Sequence, residues 1–229
     1  MINVPGTKED FISVVIPTLN EDKNIGRVIP KVKEALKGRR YEIIVVDGHS
    51  SDRTVQIARK MGAKVIYDEM GKGSALVKGL SRANGNIIVA MDADLSTDPR
   101  ELGILIHGIK LGYDVCMGSR FMAGGSSEDI SIVRRLGNRF FVSLVNALFG
   151  SNYSDMCYGY RSFNRNAVNK LDLSEPGFGI ETEISIKAQK RGLKVLEVPS
   201  VEKKRVAGEA KLMTFRDGYV ILRAILKNL

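Results

Sequence analysis

Tryptophan is absent from the 229 residues, and histidine and cysteine occur only twice each. His49 and His107 lack the spacing of a metal-binding pair, which argues against a zinc centre and a Ser-His-Asp triad. Cys116 lies in an apolar run and Cys157 beside a polar motif. Two such cysteines make neither a disulfide framework nor a Cys-rich metal site, so a reducing, cytoplasmic setting is expected. No apolar run reaches the ~20 residues that a membrane-spanning helix needs. The amino terminus, Met1-Ile2-Asn3-Val4-Pro5-Gly6-Thr7-Lys8, is short and mixed, unlike a signal peptide. A soluble or membrane-peripheral protein is therefore expected. Also missing are a GxGxxG sequence after the first strand and a GxxxxGK sequence followed by Ser or Thr, which removes the main warrant for dinucleotide redox chemistry and P-loop hydrolysis. Carboxylate chemistry remains.

What is present can bury a substantial core, since 44% of the residues are hydrophobic. The net charge of +9 is unevenly spread. Residues 1–118 carry 17 Lys/Arg against 15 Asp/Glu, and residues 119–229 carry 18 against 11. The basic second half suits an anionic partner: pyrophosphate, nucleic acid or an acidic membrane face. A single-strand nucleic-acid module would add aromatic stacking platforms, but aromatics are 7%, so nucleic acid is not the expected partner.

Apolar runs at Ile12–Ile16, Glu42–Val46, Lys64–Tyr67, Ile87–Met91 and Asp114–Met117 alternate with helical patterns at Asp22–Leu36, Asp52–Met61, Gly73–Ala83 and Pro99–Leu111. Such alternation predicts an α/β chain with a mostly parallel central sheet flanked by helices. Beyond Arg120, Gly124-Gly125-Ser126-Ser127 reads as a mobile loop. Helices are expected at Ile130–Phe149, Ile180–Arg191 and from Thr214, with a strand at Lys194–Val198. With no linker visible, residues 1–229 form one expected catalytic domain with a front half, 1–118, and a back half, 119–229.

Asp92-Ala93-Asp94 follows the apolar run at 87–91, where a strand reaches the surface. Alternate positions on an extended chain share a face. Two carboxylates on one face call for a cation, and a hard divalent ion carrying a ligand's phosphates is a natural occupant. Helix capping by Ser96 or Thr97 explains the following residues but not these two acids. Asp47, after four apolar residues, is placed to accept hydrogen bonds from a nucleobase or ribose, and Gly48 permits close approach. Ser51 and Asp52 fit helix capping. Gly71-Lys72-Gly73 opens a helix with backbone amides and one ammonium, suited to phosphate or base but also common in solvated turns.

The ordered set Pro17-Thr18-Leu19-Asn20-Glu21, Val46-Asp47-Gly48-His49-Ser50-Ser51-Asp52, Gly71-Lys72-Gly73, Met91-Asp92-Ala93-Asp94 and Gly118-Ser119-Arg120 resembles the family 2 glycosyltransferases of GT-A fold, a Rossmann-like nucleotide-diphospho-sugar transferase architecture. Further on, Ser154-Asp155-Met156-Cys157-Tyr158-Gly159-Tyr160-Arg161, Gly179-Ile180-Glu181-Thr182-Glu183 and Glu197-Val198-Pro199 through Gly208-Glu209-Ala210-Lys211-Leu212 are similar to the polyprenyl-phosphate hexose synthase branch, the dolichyl-phosphate mannose synthase type. Two departures stand out: Asp47-Gly48 replaces a paired acid, and Ala210 replaces a serine.

The resemblance implies a metal-dependent, inverting transfer of mannose or glucose from a GDP- or UDP-hexose to a polyprenyl or dolichyl phosphate at a membrane surface. Pro17, Thr18, Asn20, Glu21, Asp47, Gly48 and Lys72 would contact the donor. Asp94, helped by Asp92, would hold Mg2+ or Mn2+ on the diphosphate, with Arg120 nearby. A phosphate acceptor needs no strong base. A soluble or glycan hydroxyl, the alternative acceptor, does, and Asp155, Glu181 and Glu183 are the candidates. For Glu181 and Glu183 a helix first turn is the bland alternative.

Arg134, Arg135, Arg161, Arg205 and Lys211 are candidate clamps for phosphates; Arg134-Arg135 also fits a solvated helix face. Phe140, Phe141, Leu144, Val145, Leu148 and Phe149 have helical spacing and are expected in the core. The terminal helix, with Tyr219, Leu222, Ile225 and Leu226 among basic residues, is a candidate membrane-peripheral or homodimer surface.

Overall fold

The computed structural model describes residues 10–205 and 214–229. Its elements are β1 (Phe11–Thr18), α1 (Asp22–Ala35), β2 (Arg40–Asp47), α2 (Thr54–Lys60), β3 (Lys64–Tyr67), α3 (Lys72–Arg82), β4 (Ile87–Ala90), α4 (Leu102–Lys110), β5 (Val115–Ser119), β6 (Ser126–Ser127), α5 (Ile132–Phe149), β7 (Arg161–Asn164), α6 (Arg165–Leu171), α7 (Ile180–Lys190), β8 (Val195–Pro199), β9 (Val201–Glu202) and α8 (Thr214–Lys227). Seven strands form one sheet in the order β3-β2-β1-β4-β7-β5-β8. All pairs are parallel except those of β7, which runs antiparallel to both its neighbours.

The strands are apolar on both faces because helices cover both. Val14, Ile16, Val45 and Val89 pack on the side of α1 and α4, with Val28, Ile29 and Leu105. The alternate residues Val15, Ile44, Val46 and Ile88 pack on the side of α3 and α7, with Leu76, Leu80 and Ile184. A third cluster joins Val142 and Val145 of α5 to Ile186 and Ile225.

Strand β7 had no sequence signal: it is four residues long with one apolar side chain, Phe163, and is held from both sides by established strands. Ser126-Ser127, expected as a mobile loop, instead pairs in parallel with Val201–Glu202. The Ser127 hydroxyl donates to Glu202, fixing the loop after β5 against the chain after β8. On α5, Val145 is buried as expected, but Phe140 is 62% exposed and Leu148 is exposed with it.

Parallel strands β1, β2 and β4 deliver their carboxyl ends to one edge of the sheet, where open α/β sheets place ligands. Thr18 and Asp47 end β1 and β2 there, and Asp92 lies just beyond the end of β4.

Candidate active site

At the front of this edge the loops after β1 and β2 are laced together. The Asn20 amide donates to Ser50 Oγ at 2.8 Å, and Asn20 Oδ1 accepts from the Ser51 amide at 2.9 Å. Glu21 donates its amide to Thr54 Oγ1 and accepts from Asn24 Nδ2, both at 2.7 Å. Asp52 accepts from the Thr54 amide at 2.9 Å, but the N-cap of α2 is Arg53, so neither Ser51 nor Asp52 occupies the capping position expected of them. Asp47 differs from expectation. It is fully buried, its carboxylate accepting from the Ser50 amide at 2.8 Å and Ser50 Oγ at 2.6 Å, with Thr18 Oγ1 at 3.4 Å. Asp47 thus sits behind the wall and shapes the turn, while Pro17, Thr18, Leu19, Glu21 and Gly48 line the cleft.

That cleft, about 320 Å³, runs from these residues past Asp68 and Glu69 to Lys72, Asp92, Asp94 and Arg205. Asp92 and Asp94 are brought together as the pattern predicts, and their charge is already answered from elsewhere in the chain. Lys72 Nζ lies 2.9 Å from Asp92 Oδ1 and 3.0 Å from Glu181 Oε1. Burial by itself lowers the Lys72 pKa, but the two carboxylates prevail and hold it above the ordinary ammonium value. Arg205 Nη2 lies 3.6 Å from Asp94 Oδ2. The Asp94 carboxylate also accepts from the Ser96 amide at 3.0 Å. Capping of the following turn falls to Asp98, which accepts from the Arg100 amide, not to Ser96 or Thr97.

Gly71 and Gly73 serve packing at this point more than a phosphate cradle. Gly71 has φ +119°, and a Cβ on Gly73 would come 2.2 Å from the Glu175 carbonyl oxygen. The Ser74 amide donates to the Pro176 carbonyl at 3.0 Å, so the first turn of α3 is clamped to the 175–177 segment.

A second cavity, about 170 Å³, opens behind Lys72, Phe178 and Arg205, which line both spaces. Arg120, Arg134 and Arg205 line it together with the carboxylates Asp129, Glu181 and Glu202, and Ile130, Val133, Phe141 and Ile221 add apolar surface. Asn138, which the sequence did not single out, also lines it. Its side chain is buried, and among the described residues neither Oδ1 nor Nδ2 has a hydrogen-bond partner. The only earlier signal was a polar residue on the apolar stripe of α5. Cys157 lines the same cavity, its thiol pushed up to about 12 by burial and by Asp155, so it is neutral at ordinary pH.

Three expected site residues are buried and engaged by partners within the fold. Asp155 is 0% exposed and clasped by Arg120, with Nε to Oδ2 at 2.7 Å and Nη2 to Oδ1 at 3.0 Å, so its lone pairs are committed. Glu183 is buried in α7 and accepts from the Ser174 and Glu175 amides at 2.9 and 2.8 Å while pairing with Lys187 at 2.9 Å. Arg161 is fully enclosed and donates to the carbonyls of Tyr158 and Met156 and to Ser185 Oγ, so it clamps no phosphate. Lys211 lies outside the described residues.

Asp92 and Asp94 form an all-oxygen donor pair on the wall of an open cleft, which fits Mg2+ or Mn2+. Among the described residues no three His, Cys, Asp or Glu side chains converge as a metal cage. A divalent ion here would take its remaining ligands from a bound molecule such as a diphosphate, as Mg2+ commonly does.

Residues 13–172 match the model of the family described as Glycosyl transferase family 2. A dolichol-phosphate mannosyltransferase of Pyrococcus furiosus is 34% identical over 209 residues, 88% of this chain and 59% of that protein. A dolichyl-phosphate hexose transferase of Haloferax volcanii is 35% identical over 95% of this chain and 93% of its own length. Among solved structures, glucosyl-3-phosphoglycerate synthase of Mycobacterium tuberculosis, in complex with Mn2+, UDP and glucosyl-3-phosphoglycerate, superposes with a TM-score of 0.76 at 23% identity, covering 96% of this chain and 80% of that one.

Proposed function

The chain belongs to glycosyltransferase family 2 and has the GT-A fold, and from that premise we propose that it transfers a hexose, mannose or glucose, from a GDP- or UDP-hexose to a polyprenyl phosphate at a membrane surface. The observation that carries this reading is the shared wall: Lys72, Phe178 and Arg205 line both a carboxylate-bearing cleft and a cavity that has charged side chains, Arg134 among them, beside apolar surface from α5 and α8. A phosphate on an isoprenoid chain has that same polarity. The names of the Pyrococcus and Haloferax relatives point to the same acceptor class.

In this reading residues 1–118 bind the donor, with Asp94 and Asp92 holding Mg2+ or Mn2+. The bound ion would stabilise charge developing on the departing diphosphate. Arg205, at the wall, is placed to add a second positive charge there. Arg134 and Asn138 would orient the acceptor phosphate for in-line attack, inverting the anomeric centre, with Arg120 fixing the cavity floor through Asp155 and Glu202. The whole chain acts as one catalytic domain.

Each carboxylate of the acceptor cavity is engaged by a cation. Asp129 faces Arg205 at 3.6 Å, Glu181 faces Lys72 at 3.0 Å and Glu202 faces Arg120 at 3.1 Å. A hydroxyl nucleophile needs a general base within reach. A phosphate is already an anion near neutral pH and needs none.

No described helix is long and apolar enough to cross a membrane. Peripheral attachment at the cytoplasmic membrane face is supported by Ile132, Val133, Leu136 and Phe140, between 60 and 78% exposed, beside exposed Arg135 and Arg139.

A thermal-shift panel of GDP-, UDP- and dTDP-sugars with and without Mn2+, followed by transfer to a short-chain prenyl phosphate, tests the reading. Mn2+-dependent stabilisation by one donor and a prenyl-phosphate-dependent product are expected. Turnover on a soluble hydroxyl acceptor with none on prenyl phosphate would overturn the acceptor assignment.

A further inference from the structure

We propose that Lys72 is a positioning residue that couples the two sites, exchanging a carboxylate on the donor side for the acceptor's phosphate when the donor cleft fills. This rests on the reading of a metal-diphosphate cleft beside a phosphate-acceptor cavity. Lys72 opens α3 and lines both spaces. Its ammonium bridges Asp92 of the cleft and Glu181 of the cavity at 2.9 and 3.0 Å. Arg205 repeats the pattern more loosely, 3.6 Å from Asp94 of the cleft and 3.6 Å from Asp129 of the cavity. Each carboxylate of the cation-seeking pair is therefore neutralised by a base whose other partner stands on the acceptor side.

Such bridges make the two sites electrostatically interdependent. While Asp92 is bare, Lys72 is shared between two carboxylates and has little attraction left for a third anion. When Asp92 turns to a divalent cation, Lys72 loses that partner and gains a positive neighbour. Its ammonium is then drawn towards the cavity, where Glu181 alone balances it and a phosphate is welcome. The backbone under Lys72 stays put, because Gly71 and Gly73 are wedged against the 175–177 segment. The response is thus confined to a flexible four-carbon stem bearing a compact charge, for which lysine is better suited than arginine's planar fork. Linkage requires reciprocity: if a metal-diphosphate tightens the acceptor, the acceptor tightens the metal-diphosphate by the same factor.

The test begins without any substrate. Mn2+ is titrated into the wild-type protein and Lys72→Gln, following the free-ion paramagnetic resonance signal. The variant should bind Mn2+ several-fold more tightly, since the competing ammonium is gone. Calorimetry then measures a short-chain prenyl phosphate with and without Mn2+ plus GDP or UDP. The wild-type protein should bind it at least about fivefold more tightly when the cleft is filled, within the usual range of coupling between sites. Lys72→Gln should still bind it but lose the enhancement, and Lys72→Arg should recover part of it. Unchanged Mn2+ affinity in Lys72→Gln, or equal enhancement in the variant, overturns the proposal while leaving the donor reading intact. Absence of enhancement in the wild-type protein overturns it regardless of how any variant folds. A wild-type protein that binds neither Mn2+ nor nucleoside diphosphate removes the donor reading and this inference together.

Discussion

Both carboxylate oxygens of Asp155 are held by Arg120, at 2.7 and 3.0 Å, and the third nitrogen of that guanidinium is held by Glu202 at 3.1 Å. Arg120 also lies over two rings, its Cζ 4.9 Å from the Tyr158 centroid and 5.3 Å from that of Phe121. Burial opposes its charge, but Asp155, and then Glu202, raise its pKa above the ordinary value. Asp155→Ala would leave the buried guanidinium with two unmatched nitrogens and Glu202 as its one carboxylate, and should destabilise the fold by roughly 3 kcal/mol, the lower end for breaking a buried pair. Thermal unfolding checks this. A folded Asp155→Ala protein of unchanged melting temperature, with activity lost only where a base is needed, would return Asp155 to the role of base.

Asp94 and Asp92 should separate in their effects. Asp94→Asn leaves Arg205 in place and removes the charge that faces the diphosphate, so Mn2+-dependent stabilisation by GDP- or UDP-sugar should vanish. Its loss should exceed the ~10–100-fold typical of an outer-shell partner. Asp92→Asn, whose oxygen is engaged by Lys72, should weaken Mn2+ binding within that range. Equal and negligible effects in a Mn2+ titration would remove the pair from metal binding.

The parallel part of the sheet was legible because Ile12–Ile16, Glu42–Val46 and Ile87–Met91 are short apolar runs between helical patterns, and all three are strands. β7 was not, since a four-residue polar strand is defined by its neighbours and not by its own pattern. The same asymmetry holds at the site. Asp92 and Asp94 announce themselves as a local charge problem, whereas the cations that answer it, Lys72 and Arg205, come from distant segments. Asp155, Glu183 and Arg161 sit in motifs, and motifs do not reveal partners. Only the fold shows that Arg120, the Ser174 and Glu175 amides and the Tyr158 and Met156 carbonyls already occupy them.

Asn138 offers a trade between stability and function. A buried amide without partners costs about 1–3 kcal/mol, and Asn138 sits 5% exposed on the acceptor cavity. Asn138→Leu, close in shape, should raise the melting temperature while increasing KM for prenyl phosphate and leaving donor affinity unchanged. A lower melting temperature with unaltered KM would show that the amide is satisfied and uninvolved.

Glu183 predicts an acid-sensitive step in stability. Burial alone raises its pKa, but the Lys187 ammonium and the Ser174 and Glu175 donors outweigh it, leaving the folded value below 4.5. A depressed carboxylate contributes stability that is present above its unfolded pKa and lost as pH falls through the folded one. Glu183→Gln should therefore be less stable at pH 7 by about 1.5–3 kcal/mol, the range for hydrogen bonds to a charged group. The gap should narrow as the pH falls below about 4.5. Denaturant melts at pH 7 and pH 3.5 check the sign, and a gap that widens in acid would contradict it.

The α5 stripe sets the strongest expectation about location. Ile132 is 78% exposed, and Leu136 and Phe140 are each 62% exposed, with Arg135 and Arg139 between them. Burying such a side chain in lipid is worth about 1.5–3 kcal/mol, and each nearby arginine adds about 1 kcal/mol on an anionic surface. Replacing Phe140 with Asp should therefore lower partitioning onto anionic vesicles by at least about tenfold, since it removes apolar area and adds a repelled charge. Turnover with a short, water-soluble prenyl phosphate should persist, because Phe140 does not line either cavity. Vesicle flotation paired with that assay separates attachment from chemistry. Should the stripe instead join two copies of the chain, Phe140→Asp would shift the protein from dimer to monomer in analytical ultracentrifugation and leave flotation unchanged, and the membrane assignment would pass to the dimer surface.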